Sequence, residues 1–289
     1  IYFTMISTKN KTIEILNRNG IFAKKKFGQN FLIDTNIVMK IVKTANITKE
    51  TNVIEIGPGI GAMTEILAKE AGKVLCFEID EDMVNILNEE IKNDNVKIVN
   101  KDFLKVDLDE EMRYFIEPKN IVVVSNLPYY ITTPIIFKLL EYSKNIEKMV
   151  FMVQKEVSER LTAKPGSKEY GSLSVLIELN GTMKKEFNVS RNCFYPVPNV
   201  DSEIVSMEIN KNDSALKNDP IFVKFIQNIF EMKRKTLANN ICKKTNFSRD
   251  DLNKILQELG LSESVRAESL SLNQISKIYE ALVKENIIY

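Results

Sequence analysis

Apolar residues along this chain follow two alternating rhythms from about residue 35 to residue 154. Short solid runs at Val53–Ile56, Val74–Phe77, Val96–Val99, Ile121–Ser125 and Met149–Val153 have the length and aliphatic character of buried strands. Between or before them, Thr35–Thr44, Met63–Glu70, Asp82–Lys92 and Pro134–Ser143 space their apolar residues as helices do. Such alternation predicts an α/β fold, a mostly parallel sheet with helices on both faces. After Gln154 the rhythm changes. Ser174–Leu179 and Ser202–Ile209 read as strands separated by the Pro-bearing loop Phe194-Tyr195-Pro196-Val197-Pro198. From Asp219 onward strand signals stop. Pro220 opens a predicted helix over Phe222–Phe230, with further helices over Arg249–Leu259 and Leu272–Lys284. The polar Lys-Asn-Asp-Ser stretch within 211–217 marks a boundary. A larger α/β domain over 1–212 and a small all-α domain over 213–289 are therefore expected.

Parallel sheets bind ligands beyond the carboxyl ends of their strands. Gly57, Glu78, Asp102 and Asn126 each fall at or just past such an end. The first predicted strand runs into glycines at 57, 59 and 61, where the backbone can turn tightly and a ligand can approach it. Glu78 follows Gly57 by 21 residues, the spacing of a carboxylate that grips ribose hydroxyls. The loop is G-x-G-x-G and not the G-x-G-x-x-G of a pyrophosphate cradle. That departure favours a nucleoside without phosphates, such as S-adenosylmethionine, over NAD or FAD. Further on stands Asn126-Leu127-Pro128-Tyr129, directly after an apolar strand. An Asn amide oxygen and the Leu127 carbonyl can accept hydrogens from an amino group on a flat ring, the Pro fixes the turn, and Tyr129 offers a face for stacking. An ordinary strand-to-loop exit is the competing reading.

Composition narrows the class. The chain has 289 residues, 44% hydrophobic and 27% charged, which suits a soluble globular protein with an ample core. No apolar run reaches the roughly 18 residues of a membrane helix, and no secretory signal pattern opens the chain. Cys76, Cys193 and Cys242 are far apart, so reduced thiols in a cytoplasmic compartment are expected. Histidine is absent altogether, which excludes His-based acid/base catalysis and His-ligated metal; no metal site is expected. The net charge of +1 conceals a segregation. Residues 9–43 carry eight Lys/Arg against Glu14 and Asp34, 76–117 carry thirteen acids against five bases, and 211–249 carry nine bases against three acids. Two basic segments flanking an acidic one can make a phosphate-facing surface, or can be solvated helix faces.

In seven ordered motifs spread over nearly the whole chain, the sequence resembles the ribosomal RNA adenine dimethyltransferases, specifically the small-subunit (KsgA) type. The motifs begin with Phe27-Gly28-Gln29-Asn30-Phe31-Leu32, Glu55-Ile56-Gly57-Pro58-Gly59-Ile60-Gly61 and Asn126-Leu127-Pro128-Tyr129. They continue with Gln154-Lys155-Glu156-Val157, Pro165–Gly171, Phe194–Ser202 and Lys233-Arg234-Lys235-Thr236-Leu237. The resemblance implies a Rossmann-like methyltransferase with a mostly parallel seven-stranded sheet, using S-adenosylmethionine. It implies dimethylation of N6 on two adjacent adenines in the 3′-terminal hairpin loop of 16S ribosomal RNA, within an immature small subunit, by a monomer. Carried over by position, Asn30 and Leu32 would help close the cofactor site, with Gln29, Gly59, Ile79 and Phe103 contributing. Gly57 would lie against the methionine portion, Glu78 would hold the ribose, and Asp102 would bond the adenine amino group. Asn126, also counted with the cofactor residues, and Tyr129 would bind the target adenine, and Phe194 would stack on its other face. Lys24, Lys25 and Lys26, with the basic-helix residues Lys233, Arg234 and Lys235, would contact RNA.

Each assignment has a plainer competitor. For Glu78 it is a surface carboxylate, for Asp102 the cap of a turn before Leu104, and for Phe194 core beside the Pro-rich loop; Tyr130 is read as packing. Within the superfamily, the erythromycin-resistance type methylates large-subunit RNA, but those enzymes usually carry Ile at the position of Leu127. DNA adenine methyltransferases usually show Asp-Pro-Pro-Tyr, against which Asn126-Leu127 argues. A non-catalytic RNA-binding or ribosome-assembly factor would have no need of the combined Gly57, Glu78, Asp102 and Asn126 set.

Overall fold

A computed structural model describes residues 4–21, 29–117, 119–211, 215–245 and 247–284. Its elements run α1 (Lys9–Arg18), β1 (Phe31–Leu32), α2 (Thr35–Thr44), β2 (Asn52–Ile56), α3 (Thr64–Glu70), β3 (Lys73–Glu78), α4 (Glu81–Glu90) and β4 (Val96–Asn100). Next come α5 (Leu108–Glu111), β5 (Ile121–Asn126), α6 (Thr132–Glu141), β6 (Ile146–Gln154), α7 (Lys155–Leu161), α8 (Ser172–Asn180) and β7 (Gly181–Val189). The chain continues through β8 (Phe194–Tyr195), β9 (Ser202–Ile209), α9 (Pro220–Ile229), α10 (Leu237–Lys244), α11 (Arg249–Glu258) and α12 (Leu272–Lys284).

Seven strands form one sheet in the order β4-β3-β2-β5-β6-β9-β7. β2 to β6 pair in parallel, and β9 runs antiparallel to β6, with Met149 opposite Met207 and Phe151 opposite Val205. The order reverses at β2, where one connection leads to β3 and β4 and the other to β5 and β6; in such sheets this is where a crevice opens. Val38 and Ile41 of α2 and Ile66 and Leu67 of α3 pack in one apolar cluster with Val53, Val74, Val124 and Val150 of the strands. A second cluster joins Ile15 and Leu16 of α1 to Met83, Ile86 and Leu87 of α4 and to Ile60 of the glycine loop. Helix starts are set by short acidic or hydroxyl side chains. Asp34 accepts from the N–H groups of Asn36 and Ile37 at 2.9 and 3.2 Å, and Asp80 from Asp82 at 3.1 Å; such caps contribute about 0.5–2 kcal/mol each.

By compactness the chain forms two units, Ile1–Ser158 with Met183–Ile209, and Glu159–Thr182 with Asn210–Tyr289. The stretch Glu159–Thr182, read from sequence as part of the first domain, thus groups with the helical unit. In that unit the rings of Phe222 and Phe225 lie 4.9 and 5.4 Å from the ring of Tyr279. The Tyr279 hydroxyl donates to Asp219 at 2.7 Å, and Asp219 also accepts from the Ile221 N–H at 2.9 Å to start α9.

Three expectations need correction. Ser174–Leu179 is not a strand but the body of α8. Leu173 through Ile177, with Leu179 and Asn180, are all buried, and a helix covered on nearly every side has no amphipathic stripe by which to tell it from a strand. The seventh strand is instead β7, which the pattern hid because an exposed Lys184-Lys185 pair interrupts it; charge of this kind is common on edge strands. Lys233, Arg234 and Lys235 lie in the turn between α9 and α10, not on a basic helix.

Candidate active site

β2, β3, β4 and β5 end at Ile56, Glu78, Asn100 and Asn126. Over these ends opens a crevice with about 1070 Å³ of empty space including its mouth. Gln29, Asn30, Leu32, Gly57, Gly59, Glu78, Ile79, Asp102, Phe103, Asn126 and Tyr129 all line it. Parallel pairing is what gathers them, since it puts every carboxyl end on one side of the sheet.

Gly57 and Gly59 sit in the left-handed region at φ +69° and +58°, where a side chain is strained. A Cβ on Gly57 would lie 3.5 Å from Pro128 and 4.0 Å from the Asn126 carbonyl oxygen. The glycine loop and the Asn-Leu-Pro-Tyr segment therefore lie against each other in the lining of one crevice. Asn126 is half-buried. Among the described residues, nothing hydrogen-bonds its side-chain amide or the Leu127 carbonyl. The Leu127 N–H donates to Met152 at 3.2 Å and the Pro128 carbonyl accepts from the Ile131 N–H and the Thr132 hydroxyl, so the turn itself is held from behind.

Glu78 is 6% exposed and accepts from the Gly59 N–H at 3.1 Å and the Asp80 N–H at 2.9 Å. Each oxygen keeps a further lone pair for a ligand. Burial pushes this carboxyl above its ordinary range, and the backbone donors of Asp80, Gly59 and Ile79 work against that. Gln29 is anchored at the same corner, donating to Asp80 at 2.8 Å. Asp102 accepts from the Leu104 N–H at 3.0 Å, so it does cap the turn after β4 while also facing the crevice. Phe103 meets Phe77 edge-on at 5.4 Å, and Lys138 of α6 donates to the carbonyls of Phe103 and Val106, tying this loop to the helix that follows Tyr129.

Among the described residues, the carboxylates of Glu78 and Asp102, with the buried carboxyl of Glu55, line the crevice against the single base Lys101, whose ammonium is paired with Glu111 at 2.8 Å. Such a field repels phosphates and attracts a cation. A buried carboxylate with spare acceptor capacity, backbone left open by the glycines and a cation-favouring field fit a sulfonium-bearing nucleoside such as S-adenosylmethionine.

Phe194 is a correction. Its ring is 1% exposed in the apolar cluster with Leu32, Val38 and Ile204, and it does not line the crevice. Antiparallel pairing of β1 with β8, Leu32 opposite Phe194 and Phe31 opposite Tyr195, sends Phe194 inward and leaves Tyr195 exposed. Tyr130, read as packing, is 54% exposed and lines the crevice. Lys24, Lys25 and Lys26 fall outside the described residues. Lys233, Arg234 and Lys235 belong to the helical unit.

Sequence reasoning passed over Glu55 as a crevice group, although a carboxylate inside the apolar run Val53–Ile56 was a signal that it is put to use. Glu55 is 1% exposed and accepts from the Thr64 hydroxyl at 2.7 Å and the Cys76 thiol at 3.6 Å. Burial pushes its carboxyl up to about 7 from 4.5. The fold therefore binds this proton more tightly than the unfolded chain does, and the associated stability is present below about 4.5 and lost as pH rises to about 7. Glu55→Gln should remove that loss. The stability difference, variant minus parent, is expected to rise by on the order of 3 kcal/mol between pH 4.5 and 8. Urea unfolding at a series of pH values measures it, and a difference that stays constant would show that Glu55 titrates normally.

Comparison with known proteins bears on the same residues. The profile of the family "Ribosomal RNA adenine dimethylase" matches residues 21–284. "Ribosomal RNA small subunit methyltransferase A" of Streptococcus pneumoniae (strain P1031) is 47% identical over 283 residues, covering 96% of this chain and 98% of that protein. A dimethyladenosine transferase from Plasmodium falciparum superposes with a TM-score of 0.74 at 27% identity, over 89% of this chain and 98% of that one. The 23S rRNA methyltransferase ErmE shares the fold, with a TM-score of 0.64 at 24% identity over 88% of this chain and 100% of its own.

Proposed function

This chain belongs to the ribosomal RNA adenine dimethylase family, and on that premise we propose that it transfers methyl groups to N6 of two adjacent adenines in the 3′-terminal hairpin loop of 16S ribosomal RNA. The donor is S-adenosylmethionine, and the substrate is an immature small ribosomal subunit, met by a monomer in the cytoplasm. Among the described residues, no helix is long and apolar enough to cross a membrane. The observation that carries the reading is the pair of acceptors at the end of β5, the Asn126 amide and the Leu127 carbonyl, beside Gly57 in the lining of the same crevice.

Glu78 would hold the ribose hydroxyls, Asp102 and Phe103 the nucleoside base, and Gly57 and Gly59 the methionine portion. Gln29, Asn30, Leu32 and Ile79 would complete that side. When bound, the cofactor supplies an electrophilic methyl group on a sulfonium. An exocyclic amine on adenine is a poor nucleophile because its lone pair is delocalised into the ring. Asn126 and Leu127 accept its two hydrogens, favour a pyramidal nitrogen and aim the lone pair along the crevice. After the first methyl only one hydrogen remains, so one acceptor suffices for the second transfer. Positioning and electrostatics are the protein's whole contribution. No strong base is required, because the nitrogen becomes acidic once alkylated, which suits a chain without histidine. Tyr129 and Tyr130 offer aromatic faces that offset the unstacking of the adenine, roughly 1–3 kcal/mol per stacked base.

The test is methyl incorporation into small subunits lacking the adenine marks, read out by mapping the modified bases. Two adjacent dimethyladenines near the RNA 3′ end are expected. Incorporation into large-subunit RNA instead would assign the chain to the resistance type, and none into either would leave a binding factor.

A further inference from the structure

With Phe194 buried, the motif Phe194–Ser202 is left without a part in the chemistry. Its last residue has one. Ser202 opens β9, stands opposite Gln154 of β6 and is 1% exposed. Its Oγ lies 2.9 Å from the hydroxyl of Tyr129, 73 residues away in sequence. The backbone just before it is pinned, because the Asp201 carbonyl accepts from the Lys155 N–H at 3.3 Å and the Asp201 carboxylate from the Arg191 N–H at 2.9 Å. Tyr129 itself is half-buried in the crevice wall between Pro128 and the exposed Tyr130. An aromatic side chain on a turn is free to rotate about two torsions, and a hydrogen bond at the far end of the ring removes that freedom at the point of greatest leverage.

We propose that Ser202 is a positioning residue for methyl transfer: by hydrogen-bonding the Tyr129 hydroxyl it holds the ring plane on which the substrate purine stacks, beside the acceptors of Asn126 and Leu127. The inference rests on the functional reading above. Burial pushes the Tyr129 phenol above its ordinary range, so the hydroxyl keeps its proton at neutral pH and either partner can donate. Because the bond acts on the orientation of a bound base, its loss slows turnover and leaves cofactor binding alone. A change that merely loosened the fold would disturb both.

The experiment compares the parent protein, Ser202→Ala, Tyr129→Phe and the double variant, using S-adenosylmethionine and small subunits lacking the marks. Each single change is expected to lower kcat roughly 3- to 10-fold, the worth of one net hydrogen bond. Cofactor Kd should stay within about twofold, and the double variant should be no slower than the slower single one, since all three lack the same bond. Parental kcat in Ser202→Ala, or a double variant that loses the product of the two single effects, overturns the proposal. Should Ser202→Ala fail to fold, Tyr129→Phe tests the same bond from its less buried end, and a parental kcat there is equally fatal. Absence of transfer by the parent protein sinks the functional reading as well, whereas parental transfer with an unaffected Ser202→Ala sinks this inference alone.

Discussion

Asn126→Ala is expected to lower methyl transfer at saturating substrates by roughly a hundred- to a thousandfold while leaving cofactor affinity within about tenfold. The side chain stands at the carboxyl end of β5, half-buried, with no hydrogen bond to any described residue. An amide in the crevice lining without an internal partner is poised for a ligand, which on the proposed function is the amine of the target adenine. Alanine removes one of two acceptors and lets the amine relax toward the planar, unreactive geometry. Asn126→Asp keeps an acceptor oxygen and should retain more transfer than alanine. Single-turnover rates with each variant, set beside calorimetric titration of the cofactor, separate the two effects. An equal loss of affinity and rate would make Asn126 chiefly a cofactor residue.

The second large effect falls on binding. Glu78→Ala should weaken S-adenosylmethionine by roughly 1.5–3 kcal/mol, about 10- to 150-fold in Kd. The carboxylate is almost fully buried at the end of β3 and already engages the Gly59 and Asp80 N–H groups. Its removal would delete the proposed ribose acceptors and also orphan the backbone donors of Gly59 and Asp80. Glu78→Gln keeps the shape and one acceptor, so a smaller loss is expected. Transfer at saturating cofactor should stay near the parental rate in both. An unchanged Kd in Glu78→Ala would take this residue out of the site.

Much of the crevice was legible because its signals are local. Strand ends are visible wherever an apolar run stops, and in a parallel sheet those ends collect on one side, so Gly57, Glu78, Asp102 and Asn126 could be placed together from one dimension of information. The runs at 35–44, 202–209 and 272–284 match α2, β9 and α12 residue for residue. Failures occurred where the deciding neighbour is far away in sequence. Ser174–Leu179 carries a short solid apolar run that reads as a strand, but it is a helix buried on nearly every side and grouped with the helical unit. Lys233-Arg234-Lys235 suggested a helix face, yet the chain turns there between α9 and α10.

The order of strands, glycines and carboxylates along the chain, and from it a crevice over the strand ends lined by Gly57, Glu78, Asp102 and Asn126, followed from the residues alone, because period and spacing are properties of neighbours. Tertiary structure decided everything that depends on which distant side chain fills a given space. Pairing of β1 with β8 turned Phe194 into the core, β9 brought Ser202 to Tyr129, and burial of Glu55 within β2 raises its carboxyl's affinity for a proton above that in the open chain. Burial and long-range contact carry no local period, so they are settled only when the layers pack.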